Sequence, residues 1–311
     1  MKHTLSRALG ALCGLAMMFG AAAASAQSTT TLASLPSMPG DFADLAGDAI
    51  VAPFGSATVF RVTPGGAVIP FGSLTASGDR GVTVGHDGAF YFTRDNRVER
   101  IPTTGGASSL FATLPFSNAT GITWHPDLDR YLVVDQTHRI YQVTPSGAAS
   151  VYYTGTPGQA FDSVDYDPSG GAYALTFNTR ELITIDTSGP PVATVLATLP
   201  PGDTYDVIRE ASGDYFATSY SNNAVYRVTP AGTVTTFSTS PDLTAPFRIG
   251  AVNGQIYVGN LANNSIVILD GLAAGSATAV VPTLTEWAMI LFGLGLAGGA
   301  AVHLARRHRM V

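Results

Sequence analysis

Asp162, Asp206 and Arg248 fall at one equivalent position when the internal repeats of this chain are aligned on their turns. Gly81 and Gly121 occupy the same position in two earlier copies, with Asp41 or Asp44 as the entry from the first copy and Asp79 and Arg80 standing just before Gly81. Structural demand is alike in every copy, so variation from Gly to Asp to Arg at one position points to an asymmetric site. Loops on the same side add Asn178, Asn222 and Asn260, together with Asp95, Asn96, Asp135, Asn223, Asn263 and Asn264. Carboxylates and amide oxygens converging on one channel suit a hard cation, calcium first, with Asp162 and Asp206 as its ligands. The same residue types also cap tight loops and pair with arginines, and that structural reading stands beside the metal one.

Other chemistry finds little support. His86, Asp87, His125, Asp127 and Asp129 lie in or beside tight turns and read as turn residues, although His86 and His125 are also the histidines that neighbouring repeats could offer to a metal. No G-x-S-x-G elbow or phosphate-cradling glycine loop occurs, so hydrolytic triads and nucleotide binding have no sequence basis. With 16 basic against 22 acidic residues, the chain has no electrostatic footprint for nucleic acid. A single cysteine, Cys13, excludes a disulfide scaffold and any multi-cysteine zinc site.

The elements that position these residues repeat. VFRVTPGG at 59–66 recurs at 98–106, 140–147, 182–189, 225–232 and, more weakly, 266–271, so the starts are separated by 39, 42, 42, 43 and 41 residues. Each copy reads as four short strands: an inner strand, a Gly/Asp/Asn turn, an aromatic and β-branched second strand such as Phe90-Tyr91-Phe92, the anchor strand, and an outer strand. Four strands at this period predict a β-propeller, and six copies predict six blades. Thr31 to Pro36 matches the outer-strand endings at 111–115 and 196–200, which makes the N-terminal segment the missing fourth strand of the last blade. A linear solenoid leaves that orphan strand unexplained. The order of strands and turns resembles the NHL and gluconolactonase-like propellers. That resemblance implies a metal held by a glutamate, an asparagine and an aspartate from different blades, but Glu99, Glu181 and Glu210 all miss the blade-entry position.

The ends read differently. Lys2 and Arg7, an apolar run from Ala8 to Ala24 and the triplet Ala24-Ser25-Ala26 form a secretory signal peptide over 1–26. The propeller occupies 27–271 and a flexible Ala/Gly/Ser linker 272–280. Val281, Pro282, Thr283, Leu284, Glu286 and Trp287 then precede an apolar stretch from Ala288 to Leu304 and the arginines Arg306, Arg307 and Arg309. The stretch is long enough to span a bilayer with its positive charges inside. This arrangement resembles the IPTL-CTERM sorting signal of Gram-negative bacteria, which implies an exosortase-type membrane enzyme as partner and a cell-surface destination. A plain membrane anchor needs the same apolar length and charge asymmetry. Five of the 16 basic groups but one of the 22 acidic groups belong to the two ends, leaving 11 against 21 and no lysine in residues 27–280.

The expectation is therefore an all-β, exported, surface-sorted six-bladed propeller that binds a carbohydrate, peptide or matrix ligand without catalysis. The alternative is a metal-dependent hydrolase or lactonase working at the channel mouth.

Overall fold

The structure is a computed structural model that describes residues 27–75 and 81–270. The signal peptide, Asp79, Arg80, the linker and the sorting segment lie outside the described residues. Six antiparallel sheets follow one another around an axis. Their inner strands are Phe42–Leu45, Val82–Val84, Gly121–His125, Phe161–Asp167, Thr204–Arg209 and Pro246–Val252, in blades 1 to 6. Each is followed by a second, a third and an outer strand, with the exception of blade 6. There the order runs from Pro246–Val252 through Gln255–Asn260 and Ser265–Leu269 to the N-terminal strand Thr29–Ser34. The ring is closed by the two ends of the repeat region, as the orphan strand implied.

Two details show that Thr29–Ser34 takes the same place as the other outer strands. In every blade the pairing of third and outer strand shifts register once, and in the closing pair this shift falls between Thr31 and Ala33. In blades 1, 2, 3 and 5 the anchor turn also abuts the previous outer strand. A Cβ on Gly105, Gly147 or Gly232 would collide with the carbonyl of Phe71, Phe111 or Leu196, and one on Gly66 would collide with that of Leu32 in the closing strand. These four glycines have φ between +79° and +87°, so both backbone conformation and close approach call for glycine.

The second strands are buried on both sides because each blade is sandwiched between two neighbours. Phe90–Arg94 is buried along its whole length, with Tyr91 facing blade 3 and Phe90 and Phe92 facing blade 1. The apolar core is accordingly a circle of six clusters, one at each blade interface. Outer strands show the opposite pattern and leave Leu110, Val151, Val192 and Val195 exposed.

The structure adds two elements that the repeat pattern did not contain. Gly106–Ala107 pairs in parallel with the outer strand of blade 1, covering part of an open sheet edge. In blade 3 the first turn becomes a short 3-10 helix, Pro126–Leu128, which Asp129 closes in the left-handed conformation.

Candidate functional site

The inner strands enclose a cavity of about 320 Å³ on the ring axis. Three of these strands, in blades 4, 5 and 6, are irregular where they enter the channel. Their pairing shifts register between Phe161 and Ser163, between Thr204 and Val207, and between Pro246 and Arg248. Such bulges re-aim side chains, and the charged residues Asp162, Asp206 and Arg248 stand at these irregularities. Blades 2 and 3 lack them. Gly81 packs against the backbone of Thr120 and Ile122 too closely for a Cβ, and Gly121 lies tight against that of Asp162 and Ser163, so there the strands approach with little room for a side chain. The Gly-to-Asp-to-Arg variation thus divides the mouth into a glycine half and a charged half.

Arg248 is 1% exposed and its Nη1 lies 3.3 Å from Asp162 Oδ2 and 3.9 Å from Asp206 Oδ1. The first is an ion-pair contact without the alignment of a hydrogen bond. Asp162 also accepts a hydrogen bond from the Gln136 amide, and Asp206 accepts from the backbone N–H groups of Val207 and Ile249, each at 3.0 Å, and from Ser163. The Arg248 guanidinium stacks over Phe247 with its carbon 4.9 Å from the ring centre.

Asp41 completes the cluster from the first blade. Its carboxylate accepts from the N–H of Phe42 at 2.7 Å and of Val82 at 3.2 Å. Burial, reinforced by the charge of Asp206, raises its pKa well above the usual carboxylate range, against the opposing pull of Arg248. Burial also pushes Asp206 up to about 6, although Arg248 opposes the shift. Asp44, the other candidate from that blade, instead accepts from the N–H groups of Gly47 and Asn253 and ties together turns of blades 1 and 6. Further along the channel Asp165 accepts from Thr123, the N–H of Tyr166 and the Tyr173 hydroxyl, and burial raises its pKa too.

The asparagines perform another task. Asn178, Asn222 and Asn260 donate their amide N–H to the carbonyls of Gly158, Pro201 and Asp242, each in the loop that enters the same blade. They clasp entry loops, and none of them lines the cavity. Asp95, Asn223 and Asn264 have positive φ and shape the turns after the second strands, while Asn263 and Asp135 cap the backbone N–H two residues on.

The calcium expectation meets a specific obstacle. Asp162 and Asp206 converge on the Arg248 guanidinium, so a fixed positive charge already stands between the carboxylates and would repel the ion they were expected to hold. Among the described residues no group of three or more His, Cys, Asp or Glu has a metal-binding arrangement. His86 and His125 do not converge either. His86 Nδ1 meets the Tyr131 hydroxyl at 2.8 Å within an aromatic nest, whereas His125 is sealed in blade 3 against Tyr166 and Thr187. Burial depresses the pKa of His125. Glu99 is buried and held by Thr75 and Ser108, away from the channel.

The fold and this channel define a six-bladed propeller with an acidic, arginine-braced axial cavity. Solved structures with the same architecture include a gluconolactonase from Xanthomonas campestris, 12% identical over 80% of this chain and 91% of that one, with a TM-score of 0.66. A catalytically inactive virginiamycin B lyase from Staphylococcus aureus bound to quinupristin is 19% identical over 74% and 79%, with a TM-score of 0.59. The PQQ-bound aldose sugar dehydrogenase from Streptomyces coelicolor is 16% identical over 78% and 97%, with a TM-score of 0.60. At these identities the likeness is one of fold. No family model matches the chain, its C-terminal motif included, and no curated protein is similar to it in sequence.

Proposed function

We propose that the protein is a hydrolase of small lactones or esters, working by carboxylate acid–base chemistry in the axial channel. The observation that carries this reading is the pair Asp41 and Asp206, whose environments hold one proton more tightly than the other beside a buried guanidinium. Paired titratable groups driven apart in this way are suited to separate acid and base roles. Asp206, ionised at neutral pH, takes a proton from water as the water oxygen bonds to the acyl carbon. The carbonyl electron pair moves onto its oxygen, where the charge of Arg248 stabilises it. On collapse the acyl C–O bond breaks and Asp41 gives its proton to the leaving oxygen. Proton exchange with solvent then restores both carboxyls. The gluconolactonase and lyase relatives support an enzyme over a passive binding module, and the first of them suggests a sugar lactone as substrate.

The test is hydrolysis of glucono-lactone followed by base titration, with EDTA present throughout. kcat/KM is expected to climb about tenfold per pH unit below 6 and level off above it, because the base is active only once ionised. It falls again where Asp41 loses its proton. Asp206→Asn is expected to lower kcat/KM by about 10²–10⁴-fold while retaining the wild-type circular dichroism. Unchanged hydrolysis in this variant, or none in the wild type, returns the chain to the class of ligand-binding propellers.

Export and surface sorting by an exosortase-type enzyme are supported by residues 1–26 and 281–311 alone. A mature protein whose intact mass begins at Gln27 is the expected product of secretion, and retention of Met1 would remove the signal-peptide reading.

A further inference from the structure

Arg248 uses only part of its guanidinium. Nη1 faces Asp162 and Asp206, but Nε and Nη2 are buried without a hydrogen-bond partner. These two nitrogens form one edge of a planar fork, the edge that matches the two oxygens of a carboxylate. An unpaired buried donor costs roughly as much as the desolvation of its group and calls for an explanation such as a missing ligand. Arg248 lines the axial cavity, and the guanidinium is sunk in the wall, where water competes weakly with a charge-assisted hydrogen bond.

We propose that the Nε–Nη2 edge of Arg248 receives a ligand carboxylate, so that a small polyhydroxy carboxylate docks in the channel as the product of lactone opening. This rests on the hydrolase reading for the ligand's identity, but its geometry belongs to Arg248 alone. The hydroxyl groups of such a ligand find acceptors in the carboxyls of Asp41 and Asp206, which line the same cavity. The acidic groups facing Arg248 are Asp162 from blade 4, Asp206 from blade 5 and Asp41 from blade 1, with the Tyr205 hydroxyl beside them. An incoming anion therefore adds negative charge to an already acidic cluster, and protonation of Asp206 relieves it. Binding takes up a proton and strengthens as pH falls through the Asp206 transition at about 6.

The experiment is calorimetric titration of the wild-type protein with sodium D-gluconate at pH 5.5 and 7.5, in two buffers of different ionisation enthalpy, with D-glucitol as the uncharged control. Gluconate is expected to bind about tenfold or more tightly at the lower pH, with a heat at pH 7.5 that depends on the buffer, and glucitol much more weakly. Arg248→Lys keeps the charge and removes the fork, and is expected to weaken gluconate at least tenfold. Equal binding of gluconate and glucitol, or absence of the pH effect, overturns the proposal even if the lysine variant does not fold. So does an unchanged affinity in a folded Arg248→Lys protein. Gluconate binding without lactone hydrolysis leaves the carboxylate site standing and removes the hydrolase reading. Hydrolysis without gluconate binding does the reverse.

Discussion

Arg248→Met is expected to destabilise the fold by about 3–5 kcal/mol at pH 8, because it strips the counter-charge from carboxylates that remain buried. Asp162 and Asp206 are 0% and 5% exposed, so both carboxylates stay largely withdrawn from bulk water once their counter-charge is gone. The loss depends on pH with a definite sign. Asp206 already has a folded pKa of about 6, above its ordinary value of 3.8, so ionising it costs stability as pH rises through that window. Without Arg248, which opposes the shift, the Asp206 carboxyl is held still more firmly in the protonated form, and the penalty grows further towards high pH. At pH 4.5 protonation removes much of the uncompensated charge, and the variant approaches the wild type. Urea denaturation at pH 4.5 and 8 measures both values. A loss below about 1 kcal/mol at pH 8, the range of an exposed ion pair, would show that the cluster does not bear on stability. The pair Arg227–Asp214 supplies the comparison, since its arginine side chain is 47% exposed and its removal is expected to stay within that smaller range. The triple variant Asp162→Asn, Asp206→Asn, Arg248→Met should regain part of the lost stability, because it leaves no unpaired charge in the wall.

Deleting residues 27–35 from the mature protein is expected to abolish cooperative unfolding of the ring. This segment supplies the outer strand of blade 6 and pairs with Ser265–Leu269 through five register partners. Ala33 and Leu35 also enter the cluster between blades 6 and 1, beside Val62, Tyr257 and Ile266. Its removal bares a sheet edge and unplugs one of six cores. A single-residue version separates the two contributions: Leu35→Ala leaves the strand in place and should cost about 2–5 kcal/mol, as buried leucine truncations do. A synthetic peptide with the sequence 27–36 should restore a sharp melting transition to the truncated chain. A truncated protein that melts like the full ring would mean that closure contributes nothing to stability.

The closing strand was legible because it repeats a pattern found twice elsewhere, T-L-A-S-L-P against F-A-T-L-P and L-A-T-L-P, and because the last repeat lacked that very strand. Blade number followed from the anchor strands for a similar reason. Each blade buries the same faces against the same neighbours, so each copy needs the same alternation and the same glycine turn. The site was legible only in outline. Asp162, Asp206 and Arg248 stood out by their alignment, but sequence spacing does not say whether two carboxylates meet a metal or an arginine. Gln136 and Ser163 carried no signal, as polar residues in loops and strand ends are common. Asn178, Asn222 and Asn260 looked like binding residues because they share a face with the channel. Their amides instead reach back to the entry loops, a direction set by local turn geometry.

Period, alternation and turn chemistry are local properties, and by themselves they determined the strand order, the six blades and the joining of the two ends. Bulges at the entrances of blades 4, 5 and 6 are not local in that sense. They stand where inner strands of different blades meet at the axis, and they bring side chains more than 40 positions apart into one buried cluster. Burial then decides which carboxyl keeps its proton and where Arg248 leaves two donors unpaired. Those are consequences of removing charge from water in a particular enclosure, and only the tertiary structure builds the enclosure.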